Sequence, residues 1–309
     1  MNMKWPLNKE FAFTIIDDTD NSTVENVKPI YEYLISKNLK TTKTVWIYPS
    51  RNHFIGQTIQ DTDYLEYLLE IEHEGFEIQL HNVGSGDFKR NEIIQGFDIF
   101  KKTFGRYPTL HINHSFNKDN IYWGYKRFGT ILRFFVKLFK GNTRRFYGDE
   151  TGSDYFWGDL SKEHIKYIRN RVFNGINTLY YDPQMPYIEK NKKFSNYWFS
   201  SSDGHTVEEF NNLISKENID KLINENGLCI IYTHFACGFL EPNGEINRTF
   251  KENMDCLSSQ NGWFAPASEI LDHLLNCRGK EYNPDFFYVN LLDLKWLVGR
   301  ILKRIKYGR

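Results

Sequence analysis

Short apolar runs alternate with longer stretches of helical period through most of the chain, and the alternation repeats often enough to define an architecture. Seven runs read as strands: 11–16, Thr44 to Tyr48, Phe76 to Leu80, Thr109 to Asn113, Gly175 to Tyr181, Asn196 to Ser201 and Leu228 to Thr233. Between them the pattern predicts helices at 24–37, 61–74, 89–104, 118–139, 161–173 and 207–224, the lengths expected of crossovers joining parallel strands. Parallel βα units that close on themselves make a barrel. The predicted fold class is therefore α/β, a distorted (β/α)7 barrel, with a C-terminal amphipathic helix beyond it. The stretch 141–158 is rich in Gly, Arg and Asp, lacks a period, and reads as a long βα insertion over the barrel rim.

In such barrels the chemistry collects where the C-terminal ends of the strands meet the βα loops. Each predicted strand end here is polar. Asp17 and Asp18 follow the first strand, His81 and Asn82 the third, and His111, Asn113 and His114 the fourth; Asp182, Asp203 and His234 follow the fifth, sixth and seventh. Four of the nine histidines thus fall at three strand ends. Two adjacent aspartates at a strand mouth repel, and such a pair points to a metal, a cation or a catalytic task. Either acid would also cap the helix that begins near Val24.

The bulk properties narrow this picture modestly. A chain of 309 residues accommodates one barrel, assigned to 1–278, followed by a basic amphipathic extension, 279–309. Formal net charge is zero, which gives no global signature of a nucleic-acid partner. Aromatic residues make up 17%, suited to stacking on sugar faces or to a thick core. Cys229, Cys237, Cys256 and Cys277 show neither a CxxC pair nor zinc-type spacing with histidine, as expected in a reducing compartment. Residues 1–6 lead straight into the first strand without the apolar core of a signal peptide, and no stretch reaches eighteen uninterrupted apolar residues. The expected location is cytoplasmic, peripheral on the inner membrane face.

The rim motifs together resemble the polysaccharide deacetylase superfamily, the NodB-like or carbohydrate esterase family 4 group, over roughly residues 10 to 276. Ile15-Ile16-Asp17-Asp18 is similar to the family's Thr-Phe-Asp-Asp strand end, and Gly75 to His81 to its second motif. Phe104 to Pro108 matches the turn before its third, and Leu228 to His234 its late strand ending in histidine. The resemblance implies Asp17 as general base, Asp18 and His81 as metal ligands, and His234 as general acid. Where the second motif usually carries another histidine, four residues on, this chain has Ser85, so the third ligand is expected from His114 or His111. The third motif's arginine, which orients the catalytic aspartate in the family, is absent, and His111 stands in its place. Asn113, Asp203 and Tyr232 are candidate substrate-binding residues on the same rim.

These readings imply a metal-dependent hydrolase that removes acetyl groups from a carbohydrate, with zinc the expected ion and bacterial surface polysaccharide (O-antigen or capsule) biosynthesis the expected setting. The alternatives are a hydrolase of another amide or ester on the same scaffold, and a non-catalytic glycan-binding or assembly protein. From Lys126 to Arg145 the chain carries Lys and Arg but no acid, interleaved with apolar residues, and Leu291 to Lys306 repeats that composition. Basic amphipathic helices of this kind suit an anionic membrane surface, so a lipid- or nucleotide-linked sugar and peripheral membrane contact are expected, with dimerisation or docking on the barrel the other uses of the segment.

Overall fold

The apolar run at the start of the chain forms β1 (Phe11–Asp17), every residue of which is buried. In this computed structural model, which describes residues 3–140 and 145–308, that strand is the hub of the sheet. After it come α1 (Val24–Ser36), β2 (Thr42–Val45), α2 (Thr62–His73), β3 (Glu77–Leu80), α3 (Arg90–Phe104), β4 (Leu110–His111), α4 (Thr130–Lys140) and α5 (Gly158–His164). The second half contains β5 (Tyr167–Phe173), α6 (Thr178–Tyr181), β6 (Tyr197–Asp203), α7 (Val207–Leu213), α8 (Lys216–Asn224), β7 (Leu228–Thr233), α9 (Arg248–Ser258), β8 (Gly262–Phe264), α10 (Ala267–Arg278) and α11 (Phe286–Tyr307). Strands β1 to β7 close in chain order into a seven-stranded parallel barrel, as the alternation predicts.

Closure is local. Strand β1 meets β2 only at Ile16↔Thr42 and Asp17↔Lys43, while its first half, Phe11 to Phe13, pairs with β8. The helices follow ordinary start and stop rules: Thr23 caps α1 in a reciprocal capping box with Asn26, and Gly105, at φ +70°, ends α3 in the left-handed conformation that favours glycine. Val27, Ile30, Tyr31 and Leu34 form the buried stripe of α1, one face at helical spacing.

The fifth strand departs from the prediction. It occupies 167–173, inside the predicted helix 161–173, whereas 175–181 is a turn leading into the short α6. The reason is its composition, Tyr-Ile-Arg-Asn-Arg-Val-Phe, whose polar centre conceals the strand; those polar groups are satisfied by distant partners, Arg169 by Asp18 and Arg171 by Asp293. Asp182 consequently sits at the end of α6, buried, accepting hydrogen bonds from Ser200 Oγ and Tyr288 Oη. The predicted helix 118–139 is helical only from Thr130 after a 3₁₀ turn at Gly124–Arg127, and 207–224 is divided at Ile214 and Ser215. Residues 141–144 of the predicted rim insertion lie outside the described residues, as do 1, 2 and 309; its described part folds back on the 117–126 loop, where Lys126 Nζ bonds Asp149 and Glu150 at 3.0 and 2.7 Å.

The C-terminal α11 buries charged residues beside apolar ones and leaves much of its apolar surface outside. Val289, Leu292, Asp293 and Lys303 are its buried residues, and Asp293 takes two hydrogen bonds from Arg171, at 2.8 and 2.6 Å, and one from the backbone N–H of Gly129. Its apolar Phe287, Leu291, Leu294, Val298, Ile301 and Ile305 are exposed.

Two buried charges on this scaffold give measurable consequences. Lys43 and Asp17 pair at 2.7 Å with no solvent access, at the register point that closes the barrel. Lys43→Met strands that carboxylate and is expected to cost about 3–5 kcal/mol in urea unfolding, most of it recovered in Lys43→Met/Asp17→Asn. His111, at the end of β4, is buried against Trp157 at 4.9 Å with Nδ1 unpartnered among the described residues, and burial lowers its pKa from 6.5 to about 3. The unfolded chain therefore binds a proton below pH 6.5 that the folded one refuses, so stability is full above that pH and falls as pH drops toward 3. Unfolding at pH 7 and pH 5 should show a loss of about 2 kcal/mol from this residue, absent in His111→Gln.

Candidate active site

Side chains on a strand alternate between its two faces, so adjacent aspartates cannot serve one site. Asp17 turns to the helix layer, where Lys43, Tyr31 Oη at 3.1 Å and the Phe235 N–H at 2.9 Å hold it fully buried. Asp18 turns inward and lines a cavity of about 520 Å³ at the strand mouths. Beyond the strand the alternation persists: Thr19 Oγ1 meets Tyr64 Oη at 3.3 Å, and Asp20 returns to the cavity.

The carboxylate that faces the histidines is Asp20, not Asp18. His114 Nε2 lies 2.8 Å from Asp20 Oδ1, and His234 Nε2 and His81 Nε2 lie 3.0 and 3.4 Å from Oδ2. Each ring is turned by its other nitrogen. His81 Nδ1 donates to the Ile112 carbonyl at 3.1 Å and His234 Nδ1 to the His205 carbonyl at 3.2 Å. His114 Nδ1 donates to Asn117 Oδ1 at 3.1 Å, an oxygen identified as acceptor because it also takes the Gly86 N–H, while Asn117 Nδ2 donates to Gly84. With every Nδ1 committed as donor, three Nε2 lone pairs converge on a carboxylate. Acceptors this close require shared positive charge, from protons on the rings or from a cation. Asp20, His81 and His114 form a buried triad positioned to bind a metal ion, and a Nδ1-anchored histidine is the form in which imidazole ligates through Nε2.

Burial works against ionisation of Asp20, yet hydrogen bonds from His114, His234 and His81 hold its pKa well below the usual carboxylate value. His234 shows the reciprocal effect: burial lowers its pKa, but the hydrogen bond and charge of Asp20, with the charge of Asp18, raise it overall.

Asp18, expected as a ligand, is engaged at both oxygens by Arg169, Nη1 to Oδ1 at 3.0 Å and Nη2 to Oδ2 at 2.5 Å. Burial again opposes its ionisation and Arg169, His81 and His234 overcome that, so its pKa is lowered. Arg169 stacks over Tyr232 at 4.6 Å, which fixes the guanidinium from its other side. An arginine on β5, remote in sequence, thus orients Asp18.

The other expected residues divide. Asn113 and Tyr232 line the cavity; Asn113 also braces its loop by bonding the backbone of Ile121 in both directions. His111 does not reach the cavity; its Nε2 lies 3.4 Å from Asn113 Oδ1. Asp203 lies behind the wall, held by Lys303 at 2.9 Å. Ser85, in the place of the missing histidine, donates to Asn52 Oδ1 at 2.8 Å. Sequence reasoning missed Asp20, Arg169, His205, Arg127, Arg300 and Lys303 on this wall. Only Asp20 carried a signal, its place two residues after Asp18 in the same side-chain alternation.

No protein-family model matches the sequence, and no curated protein matches it. Among solved structures, the chain is similar to a Mycobacterium smegmatis protein assigned as a polysaccharide deacetylase, with a TM-score of 0.52 at 12% identity over 92% of this chain and 96% of that one. It is also similar to the Puue allantoinase, with a TM-score of 0.54 at 11% identity over 88% of this chain and 92% of that one. At these identities the likeness is one of fold: the chain's seven-stranded parallel barrel with its surrounding helices is the architecture that aligns with both structures.

Proposed function

We propose that the protein is a metal-dependent hydrolase that removes acetyl groups from a carbohydrate. The observation that supports this most is the convergence of Asp20, His81 and His114 beside an arginine-held carboxylate and a histidine on one cavity wall. One carboxylate with two imidazoles suits zinc and leaves a coordination position open. When bound, such an ion polarises a carbonyl oxygen and lowers the pKa of a water it holds to roughly 7.

The chain's residues supply the rest. Asp18 is the proposed general base: it is ionised, its orientation is set by Arg169, and a carboxylate holding two arginine hydrogen bonds keeps further lone-pair sites for a water proton. His234 is the proposed general acid. Its Nδ1 is committed to the His205 carbonyl, so Nε2, on the cavity side, carries the proton delivered to the departing nitrogen or oxygen, a contribution of about 10²–10⁴-fold. Water adds to the acetyl carbon, its proton passes to Asp18, and the bond to the sugar breaks as His234 protonates the leaving atom. Phe54, Phe116, Trp123 and Tyr232 line the same cavity and offer flat faces for a sugar ring.

The same proposal places the reaction at the cytoplasmic membrane face in bacterial surface-polysaccharide assembly. No helix is long and apolar enough to cross a membrane among the described residues. Supporting surface contact, α11 exposes Phe287, Leu291, Leu294, Val298, Ile301 and Ile305 at helical spacing, the neighbouring α4 exposes Ile131, Phe134, Phe135 and Leu138, and Lys137, Arg304 and Lys306 are exposed beside them.

Purified protein is expected to hold one equivalent of zinc, lost in Asp20→Ala and His81→Ala but kept in Asp18→Asn. Acetate release from N-acetylated sugars should fall by roughly 10³-fold or more in Asp18→Asn, while Asp17→Asn affects stability first. Metal retained without acetate release from any acetylated sugar would leave a different amide or ester as the substrate. Leu294→Glu/Ile301→Glu should weaken binding to phosphatidylglycerol vesicles by about tenfold with unchanged melting temperature. A concentration-dependent dimer without vesicle binding would assign the stripe to self-association instead.

A further inference from the structure

The cavity that contains the metal triad has a second chemical character. Besides Asp18, Asp20 and the histidines it is lined by Arg127, Arg169, Arg300 and Lys303, from the 3₁₀ turn, β5 and α11. Most of this positive charge is answered locally. Arg169 is held by Asp18; Arg171, two residues on, by Asp293; and Lys303 by Asp203 and Glu209, each at 2.9 Å. Among the described residues Arg300 makes one ion-pair contact, at 3.5 Å with Asp203, which Lys303 already occupies at 2.9 Å.

Arg127 has no such answer. It is 8% exposed, and among the described residues no carboxylate lies within ion-pair distance. Its Nε donates to Asn170 Oδ1 at 3.3 Å and its Nη2 to the Asn170 carbonyl, both neutral acceptors. The guanidinium packs against aromatic rings, its Cζ 4.2 Å from the ring centre of Trp123, 5.6 Å from that of Phe128 and 5.7 Å from that of Trp296. Arg300 lies 5.6 Å from the centre of the same Trp296 ring, so both guanidinium groups contact one indole. Burial, followed by the charges of Arg171, Arg300 and Arg169, opposes the cationic form of Arg127; the charge of Asp293 favours it, but Asp293 is in direct contact with Arg171 and not with Arg127.

Resting on the deacetylase reading for the identity of the substrate, we infer that Arg127 and Arg300 bind a phosphate ester carried by the sugar, in the same cavity as the acetyl group to be removed. The donor arrangement favours phosphate over carboxylate. One planar guanidinium edge satisfies a carboxylate, whereas the three free oxygens of a phosphate monoester can accept from two separate guanidinium groups at once. Arg127, held by these rings, loses little side-chain freedom when the anion arrives. Arg127 lines the cavity while only 8% exposed, so a phosphate bound there would be shielded from water, and a neutral glycan would leave that cation without a contacting anion.

Inorganic phosphate titrated calorimetrically into zinc-loaded protein provides a test that needs no turnover. Binding is expected in the wild type and in His81→Ala, which lacks the metal site. It should weaken by about tenfold or more in Arg127→Gln, less in Arg127→Lys, and by a few-fold in Arg300→Gln, whose half-exposed side chain can be changed without burdening the fold. Binding that disappears in His81→Ala but persists in Arg127→Gln would put the anion on the metal and overturn the inference. Glucose 1-phosphate should displace phosphate and glucuronate should not; the reverse order would overturn the phosphate assignment. Acetate release with no phosphate binding would defeat this inference alone, and phosphate binding with no acetate release from any acetylated sugar would defeat the deacetylase reading alone.

Discussion

The site depends on the two-residue alternation of side chains along β1 and just beyond it. Phe11, Phe13, Ile15 and Asp17 share one face, and the two phenylalanines meet Phe264 at 5.9 and 6.3 Å while Asp17 meets Lys43 and Tyr31. Asp18 and Asp20 take the other face and line the cavity. A single segment therefore delivers one carboxylate to the barrel seam and two to the cavity. Of those two, Asp18 is held by an arginine and Asp20 by three imidazoles, so neighbouring acids of the same type acquire different electrostatic tasks.

Buried ion pairs carry the same logic into the rest of the barrel. Such pairs contribute little net stability, because desolvation offsets their attraction, but a wrong partner leaves a charge stranded, so they discriminate between arrangements. Asp17–Lys43 joins β1 to β2, Asp18–Arg169 joins β1 to β5, and Arg171–Asp293 joins β5 to α11. The register of β5 against β6 shifts between Arg169 and Val172, and irregularities of this kind re-aim side chains. That shift lets two arginines only two residues apart reach an acid in the cavity and an acid on the C-terminal helix.

The parts of this design that rest on periodicity were legible in the sequence. The apolar runs of β1 and β7, the histidines that end β3 and β7, and the closed parallel barrel all follow from hydrophobic patterning. The parts that rest on pairing were not. Strand β5 hides its nature because Arg169, Asn170 and Arg171 are buried only by virtue of partners far away in sequence, and no local pattern reports them. Which acid of the cluster meets the histidines was not legible for a related reason: a motif match aligns letters, whereas the pleat decides which acid faces which wall. His114 was legible as a candidate third ligand from the neighbouring strand because the absence at Ser85 demanded one.

The C-terminal helix shows how function and packing are joined in the same element. An isolated amphipathic helix would place its apolar stripe on the barrel and its charges in water. Helix α11 buries a mixed face, Val289 and Leu292 with Asp293 and Lys303, because the wall it covers offers Arg171, Asp203 and Glu209, which recruit the two charged residues inward. Turning that face inward leaves Leu291, Leu294, Val298 and Ile301 outside, together with the exposed residues of α4 that pack beside it. The residues that complete the cavity wall, Arg300 and Lys303, lie on the same rigid helix as that exposed stripe. A surface that held the stripe would hold the cavity's cationic wall in register with it, so the position of the cavity relative to that surface is set by one helix and needs no further element.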